Sequence, residues 1–138
     1  MPEKIKILAV DDEEFNLDIL TEYLESMGHE VVSAEDGDIA LQKLEEHKDI
    51  AVVILDRMMP RMGGMEVLKK IQANPRLCNI PIIMQTAAAA EGQILEGINA
   101  GVFAYVSKPY EEHDLLSTVR RAIEELNTPG YAGKRSVL

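Results

Sequence analysis

The 138-residue chain is long enough for one domain with a single hydrophobic core, and 46% of its residues are hydrophobic and 28% charged. The formal net charge of −10 at pH 7 and the absence of a Lys- and Arg-rich cluster argue against direct nucleic-acid binding. Cys78 is the single cysteine, which excludes an intrachain disulfide, and no apolar run is long enough to span a membrane. We therefore expect a cytoplasmic protein with no membrane partner.

Five short apolar runs, each bounded by polar or turn-forming residues, predict β-strands. In chain order they cover residues 5–10, 31–34, 51–55, 80–84 and 102–106. The first and third are nearly continuous apolar runs, which is typical of strands buried on both faces. Pro81 lies near the start of the fourth run, where a strand tolerates a missing backbone donor.

Between the strands, apolar residues recur with helical spacing. The predicted inward residues of the first helix are Phe15, Ile19, Leu20, Tyr23, Leu24 and Met27. Those of the second and third helices are Ile39, Ala40, Leu41, Leu44, Met65, Val67, Leu68 and Ile71. The alanine-rich segment 88–99 predicts a weaker fourth helix, because two glycines interrupt it, and 111–126 predicts a fifth. Turn-forming residues at 127–130 follow, so we predict one domain over 1–127 and a C-terminal tail or the start of a linker over 128–138.

This alternation predicts an α/β domain with a parallel sheet that is covered by helices on both faces. Ligands of such sheets bind beyond the carboxyl ends of the strands. Polar residues stand at all five predicted ends: Asp11 and Asp12, Glu35 and Asp36, Asp56, Thr86, and Lys108. Three carboxylates, a hydroxyl group and an ammonium group are therefore expected at the ends of the first, third, fourth and fifth strands.

Asp11, Asp12 and Asp56 would repel one another in a shared cleft unless a cation relieves the repulsion. Oxygen ligands favour magnesium, and no histidine or cysteine stands near the Asp56 motif to favour zinc. An acid at a strand end is also a common helix N-cap, which is the alternative interpretation of Asp12 or Asp36 taken alone. Ordinary surface positions are predicted for the three scattered histidines, His29, His47 and His113.

Asp56 is the candidate nucleophile. A carboxylate beside a divalent cation can attack phosphorus, and phosphoryl transfer depends mainly on positioning and charge neutralisation. The chain has neither a phosphate-binding loop ending in Gly-Lys-Ser/Thr nor a Gly-x-Gly-x-x-Gly motif after its first strand. A magnesium-dependent aspartyl phosphatase is the enzymatic alternative, but such an enzyme would usually carry Asp-x-Asp after the first strand, whereas Asp11 and Asp12 are adjacent.

Together these motifs resemble the receiver domain of a two-component response regulator. The matching segments are Val10-Asp11-Asp12-Glu13, Asp56-Arg57-Met58-Met59-Pro60 with Gly63-Gly64, Thr86-Ala87, and Tyr105-Val106-Ser107-Lys108-Pro109. The resemblance extends from about Ile5 to Leu126. It implies a flavodoxin-like (βα)5 fold, in which a doubly wound, five-stranded parallel sheet has the strand order 2-1-3-4-5.

The resemblance also implies that Asp56 takes a phosphoryl group from a phosphohistidine on a sensor histidine kinase or a histidine phosphotransfer protein. Magnesium, the implied cofactor, would be bound by the side chains of Asp12 and Asp56, by the backbone carbonyl of Met58, and by Asp11 mainly through water. The protein would assist its own phosphorylation and dephosphorylation and would not be an enzyme acting on other substrates.

A switch is implied as well. Lys108 and the hydroxyl group of Thr86 would contact the phosphoryl oxygens, which draws Thr86 inward, and the ring of Tyr105 would turn to fill the vacated space. The face of the fourth helix, fifth strand and fifth helix would then change and control an unknown downstream protein or an output domain. Both a monomer and a phosphorylation-dependent dimer stay open, and a pseudo-receiver scaffold that is never phosphorylated is the remaining alternative.

Four residues are expected at the mouth of the pocket: Arg57, Met58, Ala87 and Ala88. Ala87, small in this family, would leave room for the phosphoryl group. Met58 and Ala88 stand at positions that tune the lifetime of the acyl phosphate, and both are apolar, so we expect slow self-dephosphorylation. Arg57 stands where an apolar residue is common in the family, and the sequence assigns it no role.

Overall fold

The computed structural model describes residues 4–86, 101–108 and 111–127, and the strands and helices within these ranges follow the predicted order. In chain order the elements are β1 (Lys6–Val10), α1 (Glu14–Glu25), β2 (Glu30–Ala34), α2 (Gly37–Glu46), β3 (Ile50–Asp56), α3 (Gly64–Gln72), β4 (Ile82–Thr86), β5 (Ala104–Ser107) and a C-terminal helix (Glu112–Leu126). The predicted fourth helix, 88–99, lies outside the described residues. So does the predicted tail, 128–138, and the domain boundary at 127 therefore stays a prediction.

The five strands form one parallel sheet in the order β2-β1-β3-β4-β5. This confirms the expected flavodoxin-like order. β1 pairs with β2 on one side and with β3 on the other, so the direction of winding reverses between β1 and β3. The carboxyl ends of β1 and β3 flank the crevice where ligands of such sheets bind. The fold therefore brings the end of β1 next to the end of β3.

Alternating side chains divide the core into two faces of the sheet. The first face, which packs against α2 and α3, contains Leu8, Val10, Val53, Leu55, Ile82, Met84, Leu44, Val67, Leu68 and Ile71. The second face, which packs against α1 and the C-terminal helix, contains Ile7, Ala9, Val52, Ile54, Ile83, Leu20, Leu24, Leu115 and Val119. By the same alternation Asp11, Asp56 and Gln85 continue the second face at its carboxyl edge.

Phe15 was predicted to point inward from α1, but this prediction is wrong because the residue is 73% exposed. The buried residues of this helix are Leu17, Leu20 and Leu24. Phe15 precedes Leu17 by two residues, which turns its side chain by roughly 200° around the helix axis. Tyr23, also predicted to point inward, is half-buried against the second face.

The prediction of a surface position is also wrong for His29, whose side chain is 4% exposed. Its Nδ1 accepts a hydrogen bond from the Ile5 backbone N–H at 3.2 Å, while its Nε2 has no partner among the described residues. Burial lowers the pKa of His29, so the ring is neutral at neutral pH. His113 is exposed, as predicted, and His47 is half-buried.

Each helix that the structure describes is too short or too polar to cross a lipid bilayer. The longest of them is the C-terminal helix, with 15 residues. It carries acidic residues in its first turn and buries Leu115, Val119 and Ile123. These residues give it one apolar side, which packs on the sheet.

Candidate functional site

The three predicted carboxylates meet at the carboxyl edge of the sheet. Asp11 directly follows β1, Asp12 is the next residue, and Asp56 is the last residue of β3. One carboxylate oxygen of each lies within 4.8 Å of those of the other two. Asp11 and Asp56 are buried, at 0% and 2% exposure, whereas Asp12 is exposed. This arrangement gives a cation access from the Asp12 side to a pocket of buried oxygens.

Lys108 supplies positive charge to the same pocket. Its Nζ lies 2.8 Å from Asp11 Oδ2 and 3.3 Å from Asp56 Oδ2. Its backbone N–H donates to the carbonyl oxygen of Thr86 at 2.8 Å, which fixes the residue beside the end of β4. Burial alone would lower the pKa of Lys108, but the hydrogen bond to Asp11 and the charge of Asp56 outweigh it and the pKa is raised. The ammonium group therefore keeps its charge.

One ammonium group does not balance two buried carboxylates. Burial, followed by the negative charge of Asp11, raises the pKa of Asp56 from 3.8 to about 7, although Lys108 and the Met58 N–H act in the opposite direction. The carboxyl group of Asp56 therefore binds a proton near neutral pH. A divalent cation would replace that proton, and the all-oxygen donor set fits magnesium.

This raised pKa predicts how stability depends on pH without magnesium. The native state holds a proton on Asp56 that the unfolded chain releases near pH 3.8, so the stabilisation is full below that pH and is lost as pH rises towards about 7. In urea unfolding we expect wild type to lose more stability than Asp56→Asn between about pH 5 and pH 8. Magnesium should restore stability at the higher pH, and more so in wild type. Identical pH slopes for the two proteins would contradict this assignment.

The loop between β3 and α3 folds back onto the end of β3. The Met58 N–H donates to Asp56 Oδ1 at 3.2 Å, and the Gly64 N–H donates to the Arg57 carbonyl oxygen at 2.9 Å. A Cβ atom at Gly64 would overlap the Asp56 carbonyl oxygen and lie 2.8 Å from Arg57 Cα. Gly64 is therefore required by the close approach of two backbone segments. The Met58 side chain is 66% exposed, so only its backbone faces the pocket.

Asp36, which follows β2, is a helix N-cap, as the alternative interpretation of the sequence proposed. Its side chain accepts a hydrogen bond from the Ile39 N–H at 2.8 Å and caps α2. It also pairs with Arg61, at 3.0 Å, in the loop after β3. Asp12 does not cap α1, since the N-cap position of that helix is Glu13, without a side-chain cap bond.

Of the two predicted switch residues, Thr86 is the last residue of β4 and Tyr105 lies within β5. Thr86 is 2% exposed, and Tyr105 is half-buried with its ring packed on the first face. Arg57 Nη1 donates to the Tyr105 hydroxyl oxygen at 3.2 Å, which gives Arg57 a contact that the sequence could not assign. Ala87 and Ala88 lie outside the described residues, so the expected slow self-dephosphorylation stays a prediction.

Sequence reasoning missed Gln85. This amide is fully buried and its Nε2 donates to Asp11 Oδ2 at 3.1 Å. A detectable sign was present: Gln85 interrupts an apolar strand, and its register partner on β3 is Asp56, so both side chains point to the same face. A polar residue with that parity is expected to reach the acidic pocket.

Comparison with known proteins agrees with this geometry. The family described as response regulator receiver domain matches residues 7–120. Chemotaxis protein CheY1 of Helicobacter pylori strain J99 is 37% identical over 107 residues, which cover 77% of this chain and 86% of that protein. The transcriptional regulatory protein PhoP of Bacillus subtilis strain 168, named for alkaline phosphatase synthesis, is 36% identical over 83% of this chain and 47% of that protein. The structure of chemotaxis protein CheY4 of Vibrio cholerae superposes with a TM-score of 0.82 at 32% identity, covering 87% of this chain and 99% of that one.

Proposed function

Since this chain belongs to the response regulator receiver domain family, we propose that it is a phosphoryl-accepting switch of a two-component phosphorelay, with Asp56 as the acceptor. One observation carries the proposal. The buried carboxylate of Asp56 lies next to two further carboxylates and 3.3 Å from the Lys108 ammonium group. A nucleophile in this position has both a cation site and a fixed positive charge beside it.

The proposed reaction moves a phosphoryl group from nitrogen to oxygen. An oxygen of Asp56 forms a bond to the phosphorus of a phosphohistidine while the P–N bond breaks, and the electron pair returns to the imidazole of the donor. A sensor histidine kinase or a histidine phosphotransfer protein provides that donor. The Met58 N–H, at 3.2 Å from Oδ1, orients the carboxylate, and Oδ2 faces Lys108.

Magnesium, when bound, would supply the positive charge that the phosphoryl oxygens and the carboxylates require. The side chains of Asp12 and Asp56 and the Met58 carbonyl are the proposed ligands, with Asp11 acting mainly through water. The hydrogen bonds of Asp11 support this indirect role. Its Oδ1 accepts from the Glu13 N–H at 2.9 Å and its Oδ2 from an ammonium group at 2.8 Å, which leaves few lone pairs for direct coordination.

The conformational response to phosphorylation would involve Thr86, Lys108 and Tyr105. Lys108 and the Thr86 hydroxyl group are the proposed contacts of the phosphoryl oxygens, and Tyr105 is the proposed reporter of Thr86 movement. The hydrogen bond from Arg57 to Tyr105 supports this coupling, because Arg57 directly follows the acceptor. The proposed output face comprises segment 88–99, β5 and the C-terminal helix, where Tyr105 borders a polar cavity of about 440 Å³.

Intact-mass measurement tests the function. Wild type is incubated with acetyl phosphate and magnesium, and we expect a mass gain of one phosphoryl group that Asp56→Asn does not show. Removal of magnesium by a chelator should abolish the gain in wild type. If neither acetyl phosphate nor a panel of phosphorylated kinases and phosphotransfer proteins modifies wild type, the protein is a scaffold and the proposal is wrong.

A further inference from the structure

Gln85 is an amide in the buried interior of β4. It is 0% exposed, and the rest of the strand before it, Ile82–Met84, is apolar. Its Nε2 donates to two acceptors at the end of β1, the Asp11 carboxylate at 3.1 Å and the Val10 carbonyl oxygen at 3.3 Å. The side chain therefore joins the centre of the sheet to the first acid of the pocket.

The other end of this amide is unsatisfied. Gln85 Oε1 is buried and has no hydrogen-bond partner among the described residues. The reverse orientation of the amide would place Oε1 against the Asp11 carboxylate, so the charge on Asp11 determines which way the amide faces. A buried acceptor without a partner lowers stability, and an apolar side chain of similar size would avoid that loss. Packing alone therefore does not explain an amide here.

Its effect falls on Asp11. Lys108 Nζ contacts both carboxylates, Asp11 at 2.8 Å and Asp56 at 3.3 Å. When the ammonium group moves to another anion, it no longer fixes the Asp11 carboxylate. Gln85 donates from a strand, carries no charge and, among the residues that the structure describes, contacts no anionic group besides Asp11. It can keep the Asp11 carboxylate in place whether or not the ammonium group stays with it.

We propose that Gln85 is a positioning residue that fixes the Asp11 carboxylate and so preforms the magnesium site. This inference rests on the proposed function, because magnesium is the cofactor of that function. Groups that hydrogen-bond to the ligands of a metal typically contribute 10- to 100-fold to metal affinity. Because Asp11 acts on magnesium mainly through water, the contribution of Gln85 should lie at the lower end of that range. The donating N–H of Gln85, and not its size, is the property that matters.

Gln85→Met tests the inference, because methionine has a similar length and no N–H donor. The chain has no tryptophan, so magnesium binding is measured by calorimetry. We expect the Kd for magnesium to rise about 10-fold, while thermal stability without magnesium is unchanged or higher. Gln42→Met, on the exposed surface of α2, is the matched control and should leave the Kd unchanged.

A double-mutant cycle shows whether Gln85 acts through Asp11. In an Asp11→Asn background, Gln85→Met should cause no further loss of magnesium affinity. A Kd within about twofold of wild type, or an equal loss in both backgrounds, would overturn the inference. So would a fall in thermal stability with no change in the Kd. The binding measurement involves no phosphoryl donor, so absence of phosphorylation in wild type would count against the proposed function alone.

Discussion

Replacing Lys108 with methionine should slow phosphorylation by acetyl phosphate by about 10²–10³-fold, the range measured when one preorganised charge-stabilising donor is removed. Lys108 is the cation that contacts Asp56, at 3.3 Å, among the residues the structure describes. Negative charge accumulates on the phosphoryl oxygens as the group transfers, and methionine cannot balance it. The rate of mass gain at saturating magnesium measures the effect.

Two controls separate lost chemistry from lost folding. Lys108→Met makes the acidic pocket more negative, so its magnesium affinity should equal or exceed that of wild type while its phosphorylation rate falls. Lys48→Met removes an exposed lysine, whose Nζ contacts the Glu45 carbonyl oxygen, and should react at the wild-type rate. A Lys108→Met rate within about threefold of wild type would exclude the assigned role.

Gly64→Ala should destabilise the fold by about 3 kcal/mol, the upper part of the usual range for overpacking. The new Cβ atom would overlap the Asp56 carbonyl oxygen and lie 2.8 Å from Arg57 Cα. Both obstacles are backbone atoms at the end of the central strand, so relief requires the loop to move away from Asp56. Urea unfolding gives the change in stability, and calorimetry should show weaker magnesium binding in the same variant.

Gly63→Ala is the matched control at the adjacent position. Its Cβ atom would meet only the Arg57 carbonyl oxygen at 3.4 Å, an ordinary contact. The φ of −75° at Gly63 is open to alanine, so its cost should be limited to the weaker N-cap, about 1 kcal/mol or less. Equal stabilities for the two alanine variants would show that the loop yields and that Gly64 is not required.

The fold and much of the site could be predicted because they depend on local patterns and on one topological rule. Apolar runs of strand length marked the sheet, and the carboxyl ends of parallel strands must converge. That convergence brings Asp11, Asp56 and Lys108 together although they are far apart in sequence. The identity of each residue at a strand end was therefore enough to predict its neighbours.

The features that could not be predicted depend on how a helix is rotated about its own axis or on contacts with residues that are distant in sequence. Phe15 satisfied a loose helical spacing, but only the packed sheet decides which side of α1 is buried. His29 is buried because a backbone N–H 24 residues earlier needs an acceptor, and Arg57 bonds to a hydroxyl group 48 residues later. No pattern in the neighbouring sequence predicts either contact. Gln85 is different, since strand parity alone would have identified it.

The hydrogen bond from Gln85 to Asp11 spans 74 residues of sequence, and Lys108 comes later still. Contacts of such separation make folding slow, because the entropy of closing a long loop is lost before the contact forms. During synthesis on the ribosome, Asp11, Asp12 and Asp56 therefore emerge well before the lysine that balances them. A nascent chain that ends before residue 104 carries the three carboxylates of the site but neither β5 nor Lys108, so the negative charge of the site stays unbalanced by the lysine until the last part of the domain has been made.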